Sequence, residues 1–194
     1  MDNIITPRLI LRPLTPETYA EVFTTYSEEE QKLFFGCKTG EELTEERKKY
    51  EQGLQMYRKS LLMFHLIEKE TEKVIGWCGY HTWYLPHNRA EIGYVLTDEA
   101  SKRKGYMKEA LPYVIEYGFT QMNLHRIEAM VGPDNPPSLR LLTSLGFVQE
   151  GLLREHYFIN GKFDDSLVFS LLKNEYKPLP GVTTPREKVE NSIG

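Results

Sequence analysis

The sequence predicts a single α/β domain organised around a largely antiparallel sheet, and three observations carry this. The runs Leu61 to Glu68, Val74 to Trp83 and Ala90 to Thr97 are strand-like and separated by charged or proline-containing turns, the texture of an antiparallel meander. Tyr106 to Met122 places Met107, Leu111, Val114, Ile115 and Phe119 at helical spacing and is followed by a strand-like run, Arg126 to Val131. At 194 residues, against roughly 100 to 200 per domain, the chain suits one domain with one active site.

The remaining elements follow in order. Ile4 to Leu14 alternates about Arg8-Leu9-Ile10-Leu11-Arg12-Pro13 as one half-buried strand. Thr15-Pro16-Glu17 starts a helix, with Thr15 as N-cap and Pro16 at the first position, where a missing N–H costs nothing. Ser27 to Arg58 is polar and acidic, with Glu28, Glu29, Glu30, Glu41, Glu42, Glu45 and Glu46, and reads mostly as helix interrupted near Gly36 and Gly40. Gly132-Pro133-Asp134-Asn135-Pro136-Pro137-Ser138 is a turn opening a short helix that Gly146 ends. Phe147 to Ile159 and Ser166 to Leu172 form a hairpin whose connection contains Asn160-Gly161. Beyond Tyr176 the chain is polar, with Pro178, Pro180 and Pro185, so the expected division is a domain at 1–176 and a poorly ordered tail at 177–194.

Composition removes whole classes of function. At 40% hydrophobic, 27% charged and 12% aromatic, the chain is neither collagen-like, disordered nor a disulfide scaffold. No apolar run approaches the ~18 residues of a membrane span, and Met1-Asp2-Asn3 does not begin a signal peptide, so the expected location is cytoplasmic, without a membrane partner. Cys37 and Cys78 lie in separate segments without CxxC spacing, and the five histidines show no metal-ligand spacing, so no metal is expected. A net charge of −4, from 24 basic and 28 acidic residues, offers no broad surface for nucleic acid and weakly favours a cationic substrate.

The most informative passage is Ala90-Glu91-Ile92-Gly93-Tyr94-Val95-Leu96, then Lys102-Arg103-Lys104-Gly105-Tyr106-Met107 and the long amphipathic helix. A strand, a short basic loop with a glycine, and a helix N-terminus present backbone N–H groups and a positive dipole to an anion such as a pyrophosphate. The same pattern alone also describes a solvated turn. Added to it are Thr6-Pro7-Arg8-Leu9-Ile10-Leu11-Arg12, Leu124-His125-Arg126-Ile127-Glu128-Ala129, Asn135-Pro136-Pro137-Ser138, Leu145-Gly146-Phe147 and Gly151-Leu152-Leu153-Arg154-Glu155-His156-Tyr157. In this order and spacing the chain resembles the GNAT acetyltransferases, and within them the RimJ/RimL-type group that acetylates protein N-terminal amines. The resemblance covers about Ile4 to Tyr176.

That resemblance implies a GNAT fold: a mixed, mostly antiparallel sheet of about seven strands, splayed after the Glu91 strand, with helices on both faces. It implies acetyl-CoA as co-substrate, with the backbone of Val95 and Leu96 beside the pantetheine arm and the amides from Arg103 through Lys104, Gly105, Tyr106 and Met107 to Lys108 on the pyrophosphate. The family's loop begins with Gln or Arg where this chain has Lys102, and ends with Gly or Ala where it has Met107, a bulkier residue that bears on affinity more than on identity. Direct transfer in a ternary complex needs a base, for which Glu91 is the candidate, against the alternative of an outward-facing strand glutamate. Asn135 is placed on the cofactor, although a helix cap alone would also explain it. The family's tyrosine donor falls at Leu142 here, which leaves Ser138 as the donor to the leaving thiolate and counts against a polyamine enzyme.

The implied acceptor is a primary amine, foremost a protein or peptide N-terminal α-amine. The alternatives are a small amine (polyamine, amino acid or antibiotic) or a non-catalytic acyl-CoA-binding module. Phe34, Phe35, Trp77, Tyr80, Trp83 and Tyr84 are candidates to line the acceptor pocket, each with core packing as the simpler alternative. His65, His87, His125 and His156, with His81, read as structural or surface residues, His81 and His87 nearest the pocket mouth. Neither cysteine falls in the motif region after Glu91, so no acyl-enzyme is expected. Family habit alone suggests a homodimer.

Overall fold

The first apolar segment is two strands. Ile4–Ile5 (β1) pairs antiparallel with Leu9–Leu14 (β2), Ile4 lying opposite Leu11. Between them Thr6 N donates to Leu9 O at 3.0 Å and Leu9 N donates to Thr6 Oγ1 at 3.0 Å. Pro7 has no N–H for a ladder, so the alternation turns back on itself there instead of running through. The structure, a computed structural model, describes residues 2–51, 59–178 and 180. The helix expected up to Arg58 therefore falls partly, and the tail of 177–194 mostly, outside the described residues.

Three short helices follow, each with its start written in the chain. In Pro16–Thr25 (α1) the Thr15 hydroxyl accepts from Thr18 N. Glu28–Phe35 (α2) opens with a reciprocal cap, Ser27 N donating to Glu30 Oε2 at 2.8 Å and Glu30 N to Ser27 Oγ at 3.4 Å. It stops at Gly36, whose φ of +73° suits a residue without Cβ. Gly40–Glu51 (α3) carries Glu42, Glu45 and Glu46.

Lys59–Glu68 (β3), Val74–Tyr84 (β4) and Arg89–Leu96 (β5) complete the antiparallel meander begun by β2. Tyr106–Thr120 (α4), Arg126–Val131 (β6) and Pro136–Ser144 (α5) come next, then the hairpin Val148–Ile159 (β7) and Lys162–Leu172 (β8). The eight strands form one sheet in the order β1-β2-β3-β4-β5-β6-β8-β7, β1 being the addition to the seven expected. β8 begins at Lys162 and not at Ser166. Asn160 and Gly161 both have positive φ, 52° and 81°, a two-residue turn that pairs Ile159 with Lys162 at once, despite Asp164 and Asp165 beyond it.

Helices cover both faces because strand side chains alternate. On one face Leu9, Leu11, Phe64, Leu66, Tyr80 and Ile92 bury against Ala110, Leu111, Val114 and Ile115 of α4. On the other, Leu14 and Met63 pack with Tyr19, Val22, Phe35 and Leu43 of α1–α3. The sheet divides at one point. β5 and β6 run parallel and pair only at Arg89–Arg126, Ala90–Ile127 and Glu91–Glu128, after which β5 stays with β4 and β6 with β8. The splay expected after Glu91 is present, and it leaves one edge of Ile92–Leu96 without a strand partner among the described residues.

Candidate active site

The splayed edge of β5 leads to the start of α4. Gly105 is its N-cap at φ +80° and supplies no side-chain cap, so the first helical N–H groups have no intrahelical partner. A Cβ at Gly105 would meet no atom nearer than Arg8 Nη2 at 3.7 Å, so the approach to these amides is open. Arg8 braces the loop, donating to Lys104 O at 3.0 Å and to Glu109 Oε2 at 2.6 Å while lying 4.5 Å over the Tyr106 ring. Arg103, Lys104 and Lys108 are exposed, and Lys102 is ion-paired with Glu99. Met107 corrects the sequence reading. It is 8% exposed within the main core, so its bulk points away from the helix mouth. Val95 is exposed and Leu96 half-buried along the same edge.

Across the slot, Asn135 Oδ1 accepts from Ser138 N at 3.2 Å, so this side chain caps α5. Ser138 is half-buried. Against it lies Tyr94, a residue the sequence reading passed over, whose buried hydroxyl has no well-formed hydrogen bond among the described residues. Burial holds that phenol above its usual range. The signal was present in the alternation, which puts Tyr94 on the core face with Ala90 and Ile92, where a phenol needs a polar neighbour. Leu142 is fully buried in the core.

Glu91 stands on the opposite face of β5. Its neighbours are His81 from β4, whose Nε2 is 3.5 Å from Glu91 Oε1, Glu128 opposite it on β6, His156 from β7, and Arg89 on its own strand. Glu128 is held by Arg89 Nη1 and by Arg126 Nε at 2.8 Å. Burial raises the Glu91 carboxyl above the usual carboxylate range, and Glu128 adds to this, while His81, His156 and Arg89 pull the other way.

Between α1–α3 and this sheet face lies a cavity of about 590 Å³, which His81 lines and Glu91 adjoins through His81. Of the aromatics proposed for it, Phe35 and Trp77 line it, joined by Tyr19. Tyr80 does not: it is fully buried on the other face and donates to Val114 O at 2.9 Å. Trp83 also packs on that core, Tyr84 lies under the Arg89 guanidinium at 4.1 Å, and Phe34 is covered by Arg12 at 3.8 Å. A one-residue shift of strand register exchanges faces, and the irregular β4–β5 pairing hides it from the sequence.

Glu42, Glu45 and Glu46 stand at the cavity rim with Lys38 and Lys49, and His65 forms part of its wall. Burial, then the nearby Arg12, lowers His65 to about 3, so it stays neutral. His81 lines the cavity as expected, whereas His87 sits in the single-turn helix Leu85–His87 and does not. Cys37 also lines it, but burial and Glu46 push its thiol up to about 11, a poor nucleophile at neutral pH. Cys78 is fully buried.

Comparison with known proteins agrees with this fold. Residues 8–148 match the family model described as an acetyltransferase (GNAT) domain. The chain is 50% identical over 113 residues to the uncharacterised N-acetyltransferase p20 of Bacillus licheniformis, spanning 58% of this chain and 63% of that one. It is 34% identical to the uncharacterised N-acetyltransferase YoaA of Bacillus subtilis over 87% of this chain and 95% of the relative. Among solved structures, the ribosomal-protein-S5-alanine acetyltransferase of Vibrio fischeri superposes with TM-score 0.64 at 24% identity, covering 92% of this chain and 100% of that one. The spermidine N-acetyltransferase of Vibrio cholerae, solved with CoA and spermine, gives 0.65 at 24% identity, covering 87% and 98%. The chain thus belongs to the GNAT acetyltransferase family and is an acetyl-CoA-dependent N-acetyltransferase.

Proposed function

We propose that the acceptor is the α-amine of a protein or peptide N-terminus, acetylated by direct transfer with Glu91 as general base. The carrying observation is the half-buried Glu91 carboxyl, on the far side of β5 from α4, 3.5 Å from the His81 ring that lines an open cavity. A carboxylate is a weak base, and even raised it serves best an amine that is already close to neutral. An α-amine has pKa near ~7.7–8.0 and a side-chain-type primary amine near ~10.4, so at pH 7 the neutral fraction differs by roughly 300-fold. The thiol of Cys37 supports direct transfer by being protonated.

Acetyl-CoA fits the slot on two counts: the unpaired edge of Ile92–Leu96 can take an added strand, and the uncapped amides at Gly105 can take a pyrophosphate. In this reading Val95 and Leu96 line the pantetheine, and Arg103 to Lys108 hold the phosphates through their backbone. Lys102 adds charge, and Asn135 fixes the start of α5 against the cofactor. When bound, the co-substrate supplies an acetyl carbonyl activated as a thioester. Ser138 donates a hydrogen bond to the departing sulfur. Because a thiol has pKa near ~8.5, that contact is worth about tenfold and not more, so Ser138→Ala should lower kcat by roughly that factor with little change in acetyl-CoA affinity.

A second reading, a polyamine or other small cation, is favoured by Glu42, Glu45 and Glu46 at the cavity rim. Thiol release measured with short peptides bearing free N-termini, against spermidine and putrescine at pH 7, separates the two. Higher kcat/KM for the peptides is expected. A tenfold advantage for the polyamines would replace the first reading with the second.

A further inference from the structure

Glu91 is 17% exposed in its side chain and needs a route by which the acceptor's proton reaches water. β4 provides one through an irregularity. Tyr80 pairs with Ile92 and Thr82 with Glu91, so His81 is an extra residue between them. Its ring lies against Gly93, where a Cβ would come within 2.6 Å of His81 Cδ2 and 2.9 Å of Nε2, so only glycine at 93 leaves room for it. In that seat Nε2 is 3.5 Å from Glu91 Oε1 and Nδ1 is 3.1 Å from Thr82 Oγ1. The His81 side chain is 38% exposed and lines the acceptor cavity, so the same ring touches the base and the solvent.

From this geometry we propose that His81 is the proton exit of the reaction, taking from Glu91 the proton lost by the acceptor ammonium and releasing it at the cavity mouth. The proposal rests on Glu91 being the base. The balance closes. One ammonium proton goes to the Glu91 carboxylate, then to His81 and water. The nitrogen lone pair forms the C–N bond as the C–S bond breaks, and a second N–H proton ends on the sulfur. The groups facing Glu91 divide the work. Arg89 is committed to Glu128, and Glu128 is held by Arg89 and Arg126. His156 and Tyr157, whose rings lie 4.3 Å apart and tilted at 49°, face Glu91 from β7 and do not line this cavity. That leaves His81 as the ionisable neighbour that contacts both Glu91 and the cavity.

The test compares His81→Gln, His81→Ala, Gly93→Ala and Glu91→Gln across pH 6–9. His81→Gln should lower kcat by about tenfold or more while the KM for acetyl-CoA stays within about twofold. Imidazole added to His81→Ala should restore part of the loss in proportion to its concentration and should do nothing for Glu91→Gln. Gly93→Ala, which pushes the ring away from Glu91, should show the same kcat loss with the histidine retained. Wild-type kcat in His81→Gln alongside a slow Glu91→Gln overturns the exit and leaves the base standing. A slow His81→Ala that imidazole does not help shows a structural role and also overturns it. Wild-type kcat in Glu91→Gln removes the base and the exit together.

Discussion

Glu91→Gln is expected to lower kcat by about 10²- to 10⁴-fold, the usual contribution of a positioned general base, with acetyl-CoA binding by calorimetry unchanged. Binding is spared because the slot proposed for acetyl-CoA uses the β5 edge and the α4 N-terminus and not the Glu91 side chain. The pH profile gives a separate check. Glu91 must be ionised to act, and its carboxyl is raised by burial, so the acidic limb of kcat/KM should lie above the range of an ordinary carboxylate and vanish in the variant. Stability should move the opposite way to activity. A carboxyl whose folded pKa exceeds its unfolded one stabilises the fold below the unfolded pKa, and that contribution is lost as pH rises through the folded value. Ionised Glu91 is thus a cost at neutral pH. The glutamine variant should melt at the same or a slightly higher temperature at pH 7, with any gain shrinking toward pH 4. Undiminished turnover would exclude Glu91 as the base.

Gly118→Ala should destabilise the chain, against the helix propensity that favours alanine by about 1 kcal/mol. A Cβ at 118 in α4 would stand 2.1 Å from the Tyr80 hydroxyl, 2.8 Å from its Cζ and 3.2 Å from Leu124 Cδ1. Tyr80 cannot retreat, because it is fully buried and its hydroxyl donates to Val114 O at 2.9 Å. Overpacking costs about 1–3 kcal/mol and a disturbed buried hydrogen bond about 1 kcal/mol more, giving a net loss near ~2 kcal/mol and a fall in Tm of about 4–8 °C. Because this contact ties α4 to β4, its loss should also raise the KM for acetyl-CoA by shifting the α4 N-terminus relative to β5. A higher Tm would mean that the Tyr80 ring yields and propensity decides. Tyr80→Phe combined with Gly118→Ala should recover part of the loss by removing the nearest overlapping atom.

Much of this molecule could be read from the chain before any fold was drawn, because the signals are local. Thr15-Pro16, Ser27-Glu28-Glu29-Glu30, Gly105 and Asn160-Gly161 set where elements start and turn through their own backbone and side-chain chemistry. The spacing of Leu111, Val114, Ile115 and Phe119 specifies which side of α4 is buried. Glu91, Val95, Leu96, Gly105, Asn135 and Ser138 could be nominated because a motif's residues lie close in sequence to the elements that position them.

What escaped depends on partners distant in the chain. The Ile4–Leu14 alternation fits one strand or two, and only the folded turn at Thr6 and Pro7 decides. The side on which Tyr80, Trp83 and Trp77 emerge depends on the β4–β5 register, where a single extra residue at His81 shifts everything after it. Met107 looked obstructive beside the phosphates because sequence gives its position but not its direction, and helix geometry sends that side chain into the core. The sequence by itself thus determined the elements and the chemical groups available. The tertiary structure alone decided which groups meet, since contacts between Glu91 and His81, or Tyr94 and Ser138, exist only once separate strands and helices have packed.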